Sequence, residues 1–538
     1  GTHFVFSGTP FHSYKSSISA SKEISVIGIL SMCVVLVILL FVFRTATPIA
    51  LSIFSVATSC ATAFCATRLF LGKIHLTALV FGTSLIGASI DYSLHFFIHW
   101  KADVSVKSGE EIRRKIFTGL TLSLVSTELC YLLLLFAPFE LLKQVAVFSF
   151  AGIMSSFLTA VCIFPCLKVP EKRLALALPK FKFTKKTRRL TLLGLFAFAL
   201  TVIFFQQKNI NIKNDISSLY KMEGRLKDDT ILSARLTGQT APAWFIVSGE
   251  SADAVLEAEE KLSLYEGQAF AGGIYTSRFV PSKKSQDESR FAAKKLLSHV
   301  KEQLSFLELG DETFVARASA SIKKEFESSK EKYVSAETLP KAFSSLTENL
   351  WLGKIDGKYY SVFMPQKILS IEDCRQAAKE IPGLAFMNKV QDISLGLDEL
   401  SKFIVKTFLL AFILIIALLK FFYSFGKVIK ITLVPIASVM AIIVTFVLSA
   451  TRIEFFCMTG TVLVFGLGLD YIIYMTESSL KKNHDGLEMP AVILSFVTTA
   501  ISFGSLAFSS FIPVRTIGLA VFAGLTLAFV TTYLLQDD

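Results

Sequence analysis

The sequence predicts a multi-spanning α-helical membrane protein built on a duplicated helical block, with one α+β external domain. Three observations predict it. Hydrophobic residues make up 52% of the 538, with mean hydropathy +0.57, which is too apolar for a soluble chain of this length. Eleven apolar runs reach the roughly 20 residues that a bilayer crossing needs. Two acids sit inside such runs in the same local sequence, Gly87-Ala-Ser-Ile-Asp91-Tyr92 and Gly466-Leu-Gly-Leu-Asp470-Tyr471, 379 positions apart (470 − 91). An ionisable side chain at membrane depth costs roughly 2.5–3.5 kcal/mol on insertion scales and marks function by default. Its repetition points to a duplicated unit.

In chain order, residues 1–23 are polar and read as the tail of a first external domain. The chain opens on Gly1 with no signal peptide, so the natural N-terminus is expected further upstream. Spans at 24–43, 48–67, 74–98, 116–137 and 143–167 form a first membrane block, 24–167, numbered spans 2–6. Residues 168–189 are a basic cytoplasmic linker and 190–206 are span 7. Residues 207–402 have ordinary polarity and mixed charge and read as one external α+β domain. Spans at 403–422, 428–450, 456–476, 488–511 and 514–535 form a second block, 403–535, spans 8–12. A span and an external domain precede the second block. Only a polar tail precedes the first, so one more span and a second external domain are expected before it. Both copies start from the same side, a parallel repeat.

Loop charge sets the orientation. With the 168–189 linker inside, inner loops hold twenty Lys and Arg and outer loops five. The 207–402 domain is then external, and the net charge of +12 reflects the inner loops rather than a nucleic-acid footprint. Within that domain, Ala243–Val247 reads as a buried strand and 251–265 as an amphipathic helix. Lys354-Ile-Asp356-Gly357-Lys-Tyr reads as a hairpin, Gly272-Gly273 as a turn, and Ile371–Ile381 as a helix. A helix at 390–400 should run into the following span.

Of eight cysteines only Cys374 lies in the polar region, which therefore holds no internal disulfide, and no zinc-ligand spacing occurs. No phosphate-binding glycine loop, nucleophile elbow or His-Glu-x-x-His motif is present, so the chain reads as a non-enzyme without metal or cofactor.

Chemistry concentrates on the paired acids. Desolvation penalises a buried carboxylate, and protonation removes that penalty, so Asp91 and Asp470 are candidate proton carriers. Tyr92 and Tyr471 add hydroxyls able to donate to a carboxylate. Gly87, Gly466 and Gly468 would let helices approach closely. Glu128 is a third acid at depth. Its counterpart in the second block is Ala500, and it reads either as a relay residue of one half or as an acid satisfied by hydroxyls. Thr498, Thr499 and Ser502 could line the same path or serve packing. His95 and His99 follow Asp91 at i+4 and i+8 on one helix face, either as a proton wire to the cytoplasm or as an interfacial pair near Trp100.

The paired Gly-x-x-x-Asp-Tyr motifs in the fourth and tenth spans resemble the RND superfamily of transporters. The likeness looks closest to the MMPL branch of lipid, hopanoid and related exporters. Supporting features are Ser7-Gly-Thr-Pro-Phe before a span, Asn214-Asp-Ile-Ser-Ser-Leu at the start of the external domain, and Phe279-Val-Pro281-Ser282 followed by Gln286. The resemblance implies an RND-type duplicated six-span core with eleven spans present, and a porter-like domain at 207–402. It implies a proton relay of Asp91, Tyr92, Asp470 and Tyr471, with protons as coupling ion and Glu128, His95, Thr498 and Thr499 as further candidates. It also implies a lipid or hydrophobic substrate, a periplasmic partner protein and the bacterial inner membrane. Drug-efflux relatives carry adjacent acids in one central helix and a lysine in the other, and protein-secretion relatives pair an acid with an arginine. Neither pattern occurs here. A sterol-sensing-like receptor would carry cysteine-rich external domains.

Overall fold

The computed structural model describes all residues except 1–3, 75, 171–183, 211, 217–221, 238–242, 308–310, 330–331, 339–348, 481–485 and 537–538. The side chains of 75–86 and 209 are also outside the description. Much of the basic linker, Lys481, Lys482 and His484 therefore fall outside the described residues.

Six long helices come first: α1 (Thr9–Phe43), α2 (Ala46–Leu71), α3 (Leu76–Ala102), α4 (Gly109–Leu134), α5 (Glu140–Leu158) and α6 (Lys185–Phe205). The middle of the chain forms α7 (Arg225–Thr237), β1 (Ala243–Gly249), α8 (Ala252–Ser263), β2 (Phe270–Ile274), α9 (Lys283–Ser298), α10 (Val300–Phe306), α11 (Glu312–Ser328), β3 (Trp351–Ile355), β4 (Lys358–Ile368), α12 (Ile371–Glu380) and β5 (Leu384–Asn388). Five long helices close it: α13 (Lys389–Phe422), α14 (Phe425–Leu448), α15 (Phe455–Leu480), α16 (Glu488–Leu506) and α17 (Ile512–Leu535). Among the described residues ten helices are long and apolar enough to cross a membrane, and α3, 27 residues long, occupies the remaining expected span.

The chain divides into a helical unit, 12–221 with 394–538, and a sheet unit, 1–11 with 222–393. These bounds differ from 207–402. The reason is local: Asn214 belongs with the helices. Its side-chain amide donates to Asp398 (2.8 Å) and Ser401 (2.9 Å), and its carbonyl oxygen accepts from the Phe455 backbone N–H (2.7 Å). Arg452 pairs with Asp215 at 3.2 Å beside it.

The duplication is visible helix by helix. Shifted by 379 positions, α1–α3 start where α13–α15 start, within a residue; α5 shifted by 372 starts at the first residue of α17. The α6 helix packs on α14 and α17 through Leu195, Phe196 and Ala199 against Ala437, Leu527 and Thr531. The matched positions, Thr58 on α2, Ser155 on α5 and Thr159 just past its end, border an apolar groove of about 830 Å³.

The sheet unit is a five-stranded antiparallel sheet in the order β2-β4-β1-β5, with β3 also on β4. Strand β1 alternates, burying Ala243, Phe245 and Val247. Phe245 sits opposite Phe363 on β4 and Phe386 on β5. With Phe270 these rings form an edge-packed cluster with centroids 4.9–6.1 Å apart. Helix α8 is capped by Ser251, which accepts from the Ala254 N–H, and buries Val255, Ala258, Glu259 and Leu262 at helical spacing. The expected hairpin is β3–β4, with Asp356 and Gly357 both at positive φ as a two-residue turn requires. Gly272-Gly273 is not a turn but lies within β2. Gly272 has φ +62°, and a Cβ there would fall 2.3 Å from Gln366 Oε1, so the glycines serve close strand packing.

Glu259 is the one charged side chain inside this aromatic core among the described residues. Its carboxylate accepts from the Ser277 N–H (2.5 Å) and the Ser361 hydroxyl (2.6 Å). Burial pushes its carboxyl above the ordinary 4.5 despite these bonds. A raised acid adds stability below its unfolded value and loses it as pH rises through the folded one. Chemical denaturation of the full protein, followed by Trp244 and Trp351 fluorescence, should therefore show the sheet unit weakening as pH rises from acid to neutral. Glu259→Ala should flatten that dependence and cost about 1–3 kcal/mol by leaving donors unpaired.

Candidate functional site

Asp91 and Asp470 lie in α3 and α15 and are 8% and 9% exposed, within the helical core. Each is held by a threonine of the other repeat. The Thr499 hydroxyl on α16 donates to Asp91 Oδ2 at 3.4 Å, and the Thr127 hydroxyl on α4 donates to Asp470 Oδ1 at 3.3 Å. The glycine one turn before each acid makes room for that threonine. A Cβ on Gly87 would meet the Thr499 Cα at 3.5 Å, and one on Gly466 would meet the Thr127 methyl at 3.3 Å. Gly468 fits against Ala528 of α17, where a Cβ would come within 3.1 Å. The repeats are thus interlocked, first-block α3 on second-block α16 and second-block α15 on first-block α4.

The serine one turn before each threonine, Ser495 and Ser123, lies beside the same acid. Thr498 and its counterpart Ser126 instead bond back to their own helix, to the Ser495 and Ser123 carbonyls at 2.9 Å each, which makes them helix-satisfied hydroxyls. Ser502 lies beside Gly87. The tyrosines cross over as well. Tyr471 sits among Asp91, Ser495 and Thr499 without closing a well-directed hydrogen bond. Tyr92 is within electrostatic range of Asp470 and Glu128. Glu128 is buried, and among the described residues both its carboxyl oxygens lack a hydrogen-bond partner, against the reading of an acid satisfied by hydroxyls.

His95 and His99 are each 1% exposed, packed inside the helical unit. Both bond Glu488, the first residue of α16: His95 Nδ1 at 3.3 Å to Oε2 and His99 Nε2 at 3.1 Å to Oε1. Trp100 donates its indole N–H to the Lys168 carbonyl.

Sequence reasoning missed Thr127, Ser123, Ser495 and Glu488. The first three had a signal: the register that sets Glu128 against Ala500 also sets Thr127 against Thr499. Glu488 had none, because an acid in the first turn of a span reads as an interfacial helix start. Among the described residues no cluster suited to a metal ion occurs.

No family model matches the sequence, and no curated protein does. Solved structures do match. SecDF from Thermus thermophilus, a translocon-associated membrane protein, shares 12% identity at TM-score 0.55 over 96% of this chain. A heavy metal efflux pump shares 12% at 0.55 over 97%, and the hedgehog release protein Disp of the water bear Hypsibius dujardini 12% at 0.56 over 96%. This chain shares its fold with these proteins. The chain spans 61% of the SecDF chain, 67% of the efflux pump and 70% of Disp.

The glycine contacts make a graded expectation. Gly87→Ala should be tolerated, since its Cβ finds ordinary contact distance. Gly466→Leu should wedge α15 from α4, pull Thr127 off Asp470, and destabilise the membrane unit by about 1–3 kcal/mol. Thermal unfolding of the full protein in nanodiscs reads both.

Proposed function

We propose that this protein is a proton-driven exporter of the RND type, of MMPL-like character, moving a lipid or other hydrophobic molecule at the bacterial inner membrane. In this reading the sheet unit faces the periplasm, where a partner protein would receive cargo, and the chain catalyses no bond chemistry. One observation carries it: two buried acids at repeat-matched positions, each hydrogen-bonded by a threonine of the other repeat.

The physics follows from that crossing. An ionised carboxylate buried between helices depends on its donors, and a protonated one depends on them less. Gaining or losing a proton at Asp91 therefore changes the grip of α3 on α16, and at Asp470 the grip of α15 on α4. Because each contact joins the two repeats, a local proton event becomes a shift of one block against the other. The membrane potential supplies about 2.3 kcal/mol per charge per 100 mV to drive it. Tyr92 and Tyr471 stand near the acid of the opposite repeat and would steady the ionised form. Glu128, with unpartnered oxygens close to Tyr92, is a further proton carrier on the same path.

The fold likeness alone does not choose among cargoes, because secretion, metal-efflux and release proteins share it. The acids favour lipid-type export: each central helix carries one Asp-Tyr, without adjacent acids, intramembrane lysine or mid-span arginine. Asp91→Asn and Asp470→Asn in the full-length gene should each abolish export while the protein stays folded and abundant. Mass spectrometry of envelope lipids should then show one class retained in the inner membrane and depleted outside it. Unchanged lipids with a folded Asp470→Asn protein would overturn the lipid reading and favour drug efflux or a sensor.

A further inference from the structure

The acids are not the only buried ionisable groups in the helical unit. A second set lies toward the Lys101–Lys115 end of α3 and α4. Glu488 is 7% exposed and its two oxygens are taken by His95 and His99. The other ring nitrogen of His99, Nδ1, meets Asp103 Oδ2 at 3.4 Å. Asp103 is bonded in turn by Lys115 Nζ at 2.7 Å and by the Ser105 hydroxyl and N–H at 2.6 and 2.9 Å. Burial alone would raise the Asp103 carboxyl, but the His99, Lys115 and Ser105 bonds outweigh it and hold it well below its ordinary value. The result is a continuous line, His95–Glu488–His99–Asp103–Lys115, buried until Lys115, whose side chain is 19% exposed.

The inner end of this line lies near the first of the paired acids. His95 is one helical turn from Asp91 on the same face of α3. Its ring lies 3.7 Å from that of Tyr474, one turn beyond Asp470. Tyr474 is within electrostatic range of Asp470, Asp91 and Glu488 together. The other charged groups nearby are already engaged: Glu477 accepts from the Tyr423 hydroxyl at 2.6 Å, and Lys101 lies over the Trp100 ring.

The line has no twin. The repeat sets Tyr474 where His95 stands, Ser478 where His99 stands and Ile116 where Glu488 stands. A merely structural clamp between helix ends would be as useful in either block. A route to one face of the membrane needs only one. Imidazole suits such a route, because it takes a proton on one ring nitrogen and releases one from the other.

We propose that His95, Glu488 and His99 form a one-sided proton branch joining the Asp91/Asp470 pair to the membrane face that carries the 101–115 loop, with Asp103 and Lys115 at its mouth. This rests on the reading of Asp91 and Asp470 as proton carriers. No bond other than to hydrogen is made or broken, and each proton that leaves an acid appears in solvent on the loop side.

The test follows the protonated-carboxyl infrared stretch of full-length protein, reconstituted in one orientation in liposomes, after a pH jump on either side. The Asp91→Asn/Asp470→Asn double variant identifies the band. Glu488→Gln and His95→Gln should slow its relaxation about a hundredfold for jumps on the loop side, the low end of what a positioned proton-transfer group contributes. Jumps on the opposite side should be unaffected. Free imidazole should restore the rate in His99→Ala, which a structural clamp would not allow. Wild-type relaxation in a folded Glu488→Gln, or equal slowing from both sides, overturns the branch. If Glu488→Gln does not assemble, His95→Gln decides alone. A wild-type protein with no titrating band would instead overturn the reading of the acids themselves.

Discussion

A carboxylate inside a helical bundle must be given donors, and here each donor comes from the opposite repeat. That exchange requires helices close enough for a threonine hydroxyl to reach across, which is why the residue one turn before each acid lacks a side chain. The Gly87–Thr499–Asp91 and Gly466–Thr127–Asp470 contacts are the same construction made twice. Among the described residues neither block supplies a hydrogen bond to its own acid. The interface between blocks is therefore also the ionisable site, and a change of charge cannot stay within one half.

The pseudo-symmetry is broken where function would ask for direction. Glu128 has Ala500 opposite it, and the His95–Glu488–His99 line faces Tyr474, Ile116 and Ser478 at matched positions. A symmetric pair of acids has no preferred side of the membrane. A polar line leading to one side only supplies the preference. The sheet unit is built differently, from aromatic packing around Phe245, Phe270 and Phe363, with Glu259 as its single buried acid among the described residues.

Likeness at 12% identity to a translocon-associated membrane protein, a heavy metal efflux pump and a hedgehog release protein shows a shared fold and does not choose a function. In this chain the best-defined feature of that scaffold is a small set of buried ionisable side chains, Asp91, Asp470 and Glu488 among them.

The sequence by itself determined the spans, the duplication and the acid pair. Hydropathy over twenty residues and a repeated glycine–acid–tyrosine spacing are properties of continuous segments, and a second copy separates pattern from accident. It also determined the β3–β4 hairpin, because an Asp-Gly turn is a local conformational preference. Tertiary structure decided the rest. Thr127 was overshadowed in sequence by its ionisable neighbour Glu128, and only a helix crossing brings it to Asp470. Gly272-Gly273 read as a turn from composition, yet Gln366 and Phe363 packing on them makes them strand. Glu488 lies 393 positions from His95 and is joined to it by the fold alone. Hydrogen bonds between distant segments leave no periodic trace in the chain, which is why the acids were legible and their partners largely were not.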